Sequence, residues 1–217
     1  MTRDQIVAEV EACGVVAIIR MKDPAKLAGV VDAILAGGVR VLEVTMTVPG
    51  AIELIRGLAK TLPSELILGA GTVTDTETAD RVIDAGAKFL VSPVLRVPII
   101  ELARRRGVPS MPGCFSPTEI LTAWEAGAEI VKVFPATALG PSFLRDVHGP
   151  LPHVKLMPTG GVTVDNAGDW IRGGAVAVGV GSALLDAHAL SSGDYTKITD
   201  NARRIIQNVS LARGKAS

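Results

Sequence analysis

Short apolar runs punctuate the chain, each preceded by a polar, helix-like stretch and followed by a Gly, Pro or Thr turn. Eight can be read along it: GVVAIIR (14–20), AGGVRVLEVTMT (36–47), LILGAGT (66–72), AGAKFLVSP (85–93), RGVPSMPG (106–113), AGAEIVKVFP (126–135), HVKLMPTGG (153–161) and GGAVAVGVGS (173–182). Their apolar cores are continuous rather than alternating, the pattern of strands covered on both faces in a parallel sheet. Helix starts fall between them. Ser116-Pro117-Thr118-Glu119 and Thr74-Asp75-Thr76-Glu77 read as capping boxes, and Asp23-Pro24 as a cap followed by proline. The glycine before each strand falls where a helix ends in left-handed backbone. Eight strand-and-helix units in 217 residues leave about 27 residues each, the compact end of the (β/α)8 range. The expectation is one TIM barrel spanning 1–217 as a single domain, with an extra helix at residues 2–12 closing its bottom. A doubly wound open sheet is the alternative, and eight successive units without a long insertion count against it.

Composition narrows the function classes. The 22 Lys+Arg balance 22 Asp+Glu to a formal net charge of zero, which argues against a nucleic-acid or anionic-membrane partner. With 48% apolar and 20% charged residues the chain is folded material rather than a disordered segment. Arg3, Asp4, Glu9 and Glu11 stand where a signal peptide needs an apolar core. No apolar run approaches the ~18 residues of a membrane span, so a cytoplasmic protein is expected. Cys13 and Cys114 lie far apart without CxxC spacing; both are expected as reduced thiols, Cys13 in the core and Cys114 in a loop.

In a barrel of this kind the chemistry sits at the C-terminal ends of the strands, so position along a strand sorts the polar residues. Of eight lysines, Lys22, Lys26, Lys60, Lys197 and Lys215 fall in helices or loops, and Lys88 and Lys155 open strands at the bottom. Lys132 alone lies near the top end of an apolar strand, sharing a face with Ile130 and Phe134. Between two valines, under a covering helix, it cannot easily reach solvent. Desolvation of an inward lysine lowers its pKa: from a value near 10.4 only about 1 amine in 2,500 is neutral at pH 7, and a drop of ~2–3 units gives a usable Schiff-base nucleophile. Glu43 is the only charged residue in Val41-Leu42-Glu43-Val44-Thr45. A lone carboxylate there is costly unless paired or protonated. It reads either as an ion pair holding the barrel together or as a general acid/base of raised pKa facing Lys132.

Two glycine loops follow the seventh and eighth strands, Thr159-Gly160-Gly161 and Gly179-Val180-Gly181-Ser182, with Ser182 expected to open a short helix at Ala183-Leu184-Leu185. That is where TIM barrels place a phosphate cradle of backbone N–H groups. Metal chemistry has no support, since His148, His153 and His188 lack HxH, HxxxH or carboxylate spacing. Neither a GxSxG nor a Cys beside a His is present, which removes the common hydrolase readings.

These features together resemble the 2-keto-3-deoxy-6-phosphogluconate aldolases. The motifs are GGVRVLEVT (37–45), GAGTV (69–73), Ser92-Pro93, PGCFSPTE (112–119), VKVFPA (131–136), PTGGV (158–162) and VGVGSAL (178–184), which run in order through almost the whole chain. The family consists of class I, Schiff-base aldolases, usually homotrimers. The resemblance implies Lys132 as the Schiff-base lysine and Glu43 as the proton-transferring carboxylate. Thr72 and Thr159 would contact the pyruvyl part, Phe134 and Pro93 wall the pocket, and Gly160, Gly161, Gly181 and Ser182 hold the phosphate. The implied reaction yields pyruvate and glyceraldehyde 3-phosphate from a phosphorylated keto acid and needs no cofactor. One departure stands out: many members carry Arg four residues after the glutamate, where this chain has Thr47. Arg20, at the end of the first strand, is the expected substitute. Competing readings are the galactonate epimer or 4-hydroxy-2-oxoglutarate as substrate, a phosphosugar isomerase or epimerase with Lys132 a bystander, and a non-catalytic phosphosugar-binding barrel.

Overall fold

Each of the eight apolar runs contains a strand that is buried along its whole length in the computed structural model, which describes residues 1–214 except Lys22 and Ser64. Lys22 and Lys215, placed above in helices or loops, lie outside the described residues. The first half runs α1 (Arg3–Cys13), β1 (Val15–Ile19), a 3-10 turn (Pro24–Lys26), α2 (Leu27–Ala36), β2 (Val41–Thr45), α3 (Ala51–Thr61), β3 (Ile67–Gly71), α4 (Thr76–Asp84), β4 (Leu90–Val91) and α5 (Val97–Arg105). The second continues with β5 (Ser110–Met111), β6 (Gly113–Cys114), α6 (Pro117–Glu125), β7 (Val131–Val133), a 3-10 turn (Ala136–Ala138), α7 (Gly140–His148), β8 (Leu156–Pro158), α8 (Ala167–Arg172), β9 (Val178–Val180), α9 (Ala187–Ser192) and α10 (Thr196–Ala212).

All pairings are parallel, and the sheet curls. Six strands are bonded in the order β5-β4-β3-β2-β1-β9 and three in the order β6-β7-β8, with a parallel bridge from Thr159 to Gly179. The fifth run is split at Pro112. Proline offers no N–H to a ladder, and there the chain changes partners: β5 pairs with β4, β6 with β7, and the Pro112 carbonyl accepts the Lys132 N–H at 3.0 Å.

Helices cover the outer face through close glycine contacts. A Cβ at Gly37, which ends α2, would overlap the Ala202 methyl of α10, so the long last helix sits directly on the second. The N-terminal helix starts one residue later than expected, with Thr2 and Gln5 closing a capping box. Its Arg3 pairs with Glu129 before β7 and its Glu11 with Lys155 before β8, which ties it to strand starts.

Two local expectations need correction. The residue that caps α4 is Asp75, whose carboxylate accepts the Thr78 N–H at 2.7 Å, not Thr74; an Asx cap one residue later leaves the same helix with a shorter lead-in. Cys114 is not in a loop but buried in β6, because the chain resumes strand geometry after Pro112, and burial pushes its thiol up to about 12. No described helix is long and apolar enough to cross a membrane.

Candidate active site

Glu43 lies at the middle of β2, opposite Ile18 of β1 and Gly69 of β3, and is 1% exposed. Its side chain leans along the sheet to Gly71, where a Cβ would overlap the carboxylate. The missing side chain at Gly71 is therefore the space the acid occupies. One carboxylate oxygen, Oε2, is buried without a hydrogen-bond partner. Burial raises the Glu43 pKa above 4.5, against the opposing pull of the positive charges on Lys132 and Arg20.

Lys132 is the middle residue of β7, opposite Gly113 and Met157, and 6% exposed. Burial pushes its pKa below 10.5; Arg20 pushes the same way, while Glu43 opposes. Among the described residues it forms no ion pair within 4.0 Å. Removing a charge from water costs several kcal/mol, and without a close ion pair that cost favours the neutral forms of both groups. The Lys132 nitrogen stands 4.8 Å from the centre of the Phe134 ring, which leads from the lysine to the open cavity.

That cavity, about 390 Å³, is walled by Arg20, Phe134, Thr159, Gly160, Gly161, Gly181 and Ser182, all expected above, together with Ile18, Val162 and Gly179 and with Leu185, Ala187 and Leu190 from the α9 side. Arg20 follows β1 immediately and is exposed. Thr47 cannot take an arginine's place: it carries no charge, and its hydroxyl is 2.7 Å from that of Thr45, which also reaches the Ile19 carbonyl. Thr159 is fixed by its backbone, donating to Val133 at 3.0 Å and accepting from Ala136 at 2.9 Å. Its hydroxyl is buried with no partner, and a Cβ at Gly179 would overlap it. A buried, unpaired hydroxyl in a cavity wall is a candidate contact for a ligand.

Thr72 and Pro93 do not wall the cavity; each adjoins a glycine that neighbours one of the two central groups. Thr72 follows Gly71 and is, among the described residues, the non-glycine position with positive φ, +59°. For a β-branched residue this costs about 1–3 kcal/mol, the kind of strain found at working sites. The Pro93 carbonyl abuts Gly113, the neighbour of Lys132. Ser182 does not open a helix. Leu184 and Leu185 both donate to Gly181, forming a single turn, and the helix starts at Ala187 under an Asp186 cap. The Gly161 and Ser182 N–H groups find no protein acceptor among the described residues, so this face can still receive an anion.

Several supports of the site carry no signal in the sequence. Gly71 and Gly179 make room for the carboxylate and the hydroxyl. Asn166 donates to the Gly161 carbonyl at 2.9 Å. Lys26 donates to the Leu190 and Ser191 carbonyls at 2.6 and 3.0 Å and so pins the end of α9. Among the described residues no group of three or more His, Cys, Asp or Glu is placed to hold a metal ion.

Residues 6–201 match the family model described as KDPG and KHG aldolase. The KHG/KDPG aldolase of Escherichia coli (strain K12) is 37% identical over 198 residues, covering 91% of this chain and 92% of that protein. The 2-dehydro-3-deoxy-phosphogluconate aldolase of Dickeya dadantii (strain 3937) is 39% identical over 175 residues, covering 80% and 82%. Among solved structures, the KDPG aldolase from Legionella pneumophila, with pyruvate captured at low pH as a covalent carbinolamine intermediate, superposes with a TM-score of 0.85 at 30% identity, over 92% of this chain and 97% of that one.

Proposed function

The chain belongs to the KDPG and KHG aldolase family, and on that premise we propose that it cleaves 2-keto-3-deoxy-6-phosphogluconate to pyruvate and glyceraldehyde 3-phosphate, with Lys132 as nucleophile and Glu43 as proton carrier. It is a class I aldolase, a lyase. The observation that carries the assignment of roles is the buried Lys132 amine, free of a close ion pair, in the company of the buried Glu43 carboxyl.

The neutral Lys132 amine adds to the C2 ketone while protonated Glu43 supplies the proton that the carbonyl oxygen needs. Loss of water from the carbinolamine gives an iminium, which is the electron sink, so the reaction calls for no cofactor. Glu43, now ionised, takes the C4 hydroxyl proton; the C3–C4 bond breaks and its electrons flow into the iminium as an enamine. Glyceraldehyde 3-phosphate leaves. Protonation at C3 and hydrolysis release pyruvate and restore the amine. Thr72 and Thr159 position the pyruvyl part, Phe134 and Pro93 exclude water, and Arg20 takes the C1 carboxylate, for which a guanidinium fork is suited. Gly160, Gly161, Gly181 and Ser182 hold the phosphate.

The same reading extends to the architecture. The Thr159–Gly179 bridge and the continuity of β5 and β6 through Pro112 support closure of the two hydrogen-bonded parts into a single (β/α)8 barrel over 1–217, with α1 across its bottom. A homotrimer is part of the same proposal; exposed Val94 and Phe115, which follow β4 and β6, offer apolar surface for a subunit contact. A cytoplasmic setting agrees with the unpaired Cys13 and Cys114. Incubation with pyruvate and borohydride, followed by peptide mapping, tests the core of the reading. Label is expected on Lys132; label on Lys88 or Lys155, or none, would overturn the assignment of Lys132 as the nucleophile. Turnover of the gluconate compound, its galactonate epimer and 4-hydroxy-2-oxoglutarate in parallel ranks the substrates within the family.

A further inference from the structure

A phosphate dianion held by backbone amides needs the N–H groups turned toward it and the carbonyls of the same loops turned away. After β8, the Asn166 side chain engages the loop from outside the cavity. Its Nδ2 donates to the Gly161 carbonyl at 2.9 Å, its Oδ1 accepts the Thr163 N–H at 2.7 Å, and its own N–H donates to the Thr163 hydroxyl at 3.1 Å. After β9 a second asparagine has the corresponding place. Asn201 belongs to the buried face of α10, among Ile198, Ala202, Ile205 and Val209, where an amide is costly unless it has partners. Its Nδ2 lies 3.4 Å from each of the Ala183 and Leu184 carbonyls, in the turn that begins at Gly181. Neither asparagine walls the cavity, whereas Gly161 and Ser182, with unclaimed N–H groups, do.

We propose that Asn166 and Asn201 are positioning residues for phosphate recognition: each holds loop carbonyls on the outer side, leaving amides to face the phosphate. This rests on the phosphate assignment made above. One asparagine precedes α8 and the other lies within α10, yet both make the same kind of contact, amide to loop carbonyl, behind the two loops that share one cavity.

The test uses the condensation direction, with pyruvate and either glyceraldehyde 3-phosphate or unphosphorylated glyceraldehyde, in the parent, Asn166→Ala and Asn201→Leu. Each substitution is expected to lower the ratio of kcat/KM for the phosphorylated over the unphosphorylated aldehyde by about tenfold, the worth of one hydrogen bond, through KM rather than kcat. Competitive inhibition by inorganic phosphate should weaken in parallel. Equal losses on both aldehydes, or an unchanged ratio, overturn the proposal. If Asn201→Leu does not fold, the more accessible Asn166→Ala decides the matter. A parent that neither prefers the phosphorylated aldehyde nor responds to inorganic phosphate removes the phosphate assignment itself; a discriminating parent with unchanged variants removes only the role of the asparagines.

Discussion

Gly71→Ala tests whether the space beside Glu43 is part of the chemistry. The added Cβ would overlap Oε1, and Cδ and Cγ of Glu43 also fall within the contact distance of a methyl group. Moving the carboxylate tip alone cannot relieve a clash that reaches Cγ, so the whole side chain must leave its rotamer. An off-rotamer side chain costs about 0.5–1.5 kcal/mol and overpacking a buried site about 1–3 kcal/mol, which for a domain of this size lowers Tm by roughly 2–12 °C. The effect on turnover is larger. A displaced carboxyl no longer delivers its proton, and a positioned acid or base is worth about 10²–10⁴ in rate. The variant is expected to remain folded by circular dichroism while kcat for keto-acid cleavage falls by about that factor. Because the loss passes through Glu43, Gly71→Ala added to Glu43→Gln should cost little more than Glu43→Gln alone. A kcat within threefold of the parent, or additive losses in the double variant, would refute the idea that Gly71 serves the carboxylate.

The remaining predictions concern charge. Burial raises the Glu43 pKa above 4.5, so the folded state holds a proton that the unfolded state releases, and stability falls as pH rises from 4.5 through the folded-state value. Glu43→Gln should therefore gain stability relative to the parent more at pH 8 than at pH 4 in urea unfolding; the opposite order would show an ionised, paired carboxylate. Burial lowers the Lys132 pKa from 10.5, so borohydride trapping of pyruvate should speed up with pH and level off below 10.5; a rate still climbing through pH 10.5 would mark an ordinary surface amine. Gly161→Asp or Ser182→Asp places a negative charge in the proposed phosphate site, and phosphorylated substrate should suffer far more than its unphosphorylated analogue, with equal losses counting against the assignment. Arg20→Ala should cost about 1.5–3 kcal/mol of transition-state binding, roughly 10- to 160-fold in kcat/KM, with little change in Tm, and Arg20→Lys should already be impaired because it loses the fork. A specificity constant within threefold of the parent would mean that Arg20 does not anchor the carboxylate.

The strands were legible because burial on both faces leaves a run of apolar residues that no helix of that length matches. Glu43 and Lys132 were legible for the converse reason: a charge inside such a run is so costly that it needs an explanation, and both are buried where that reasoning placed them. Where a local pattern had two equivalent solutions, the choice was not written in the sequence. Thr74 and Asp75 can each cap a helix, and the geometry takes Asp75. Pro112 ends a strand in any one-dimensional reading, so Cys114 looked like loop; only the change of partner from β4 to β7 puts it back in the sheet. At Ser182 a serine before Ala-Leu-Leu looks like a helix start, but Asp186 captures the cap four residues later and leaves one turn behind it.

The supports of the site were hidden for another reason. Gly71, Asn201 and Lys26 act on residues whose distance along the chain says nothing of their distance in space: Gly71 on Glu43, Asn201 on Ala183 and Leu184, Lys26 on Leu190. A glycine in GAGT reads as a turn, yet its work is to be absent where a carboxylate must stand. An asparagine in a helix reads as a weak helix former, yet Asn201 has its amide on two carbonyls behind a loop. Reactive groups announce themselves through the energetic cost of their burial, whereas the residues that aim them are cheap individually and acquire meaning only through their partners. Side-chain chemistry can thus be read from one sequence well before the loops proposed to select a phosphorylated substrate, and that proposed selectivity is where the three-dimensional contacts of Asn166, Asn201 and Arg20 are to be tested.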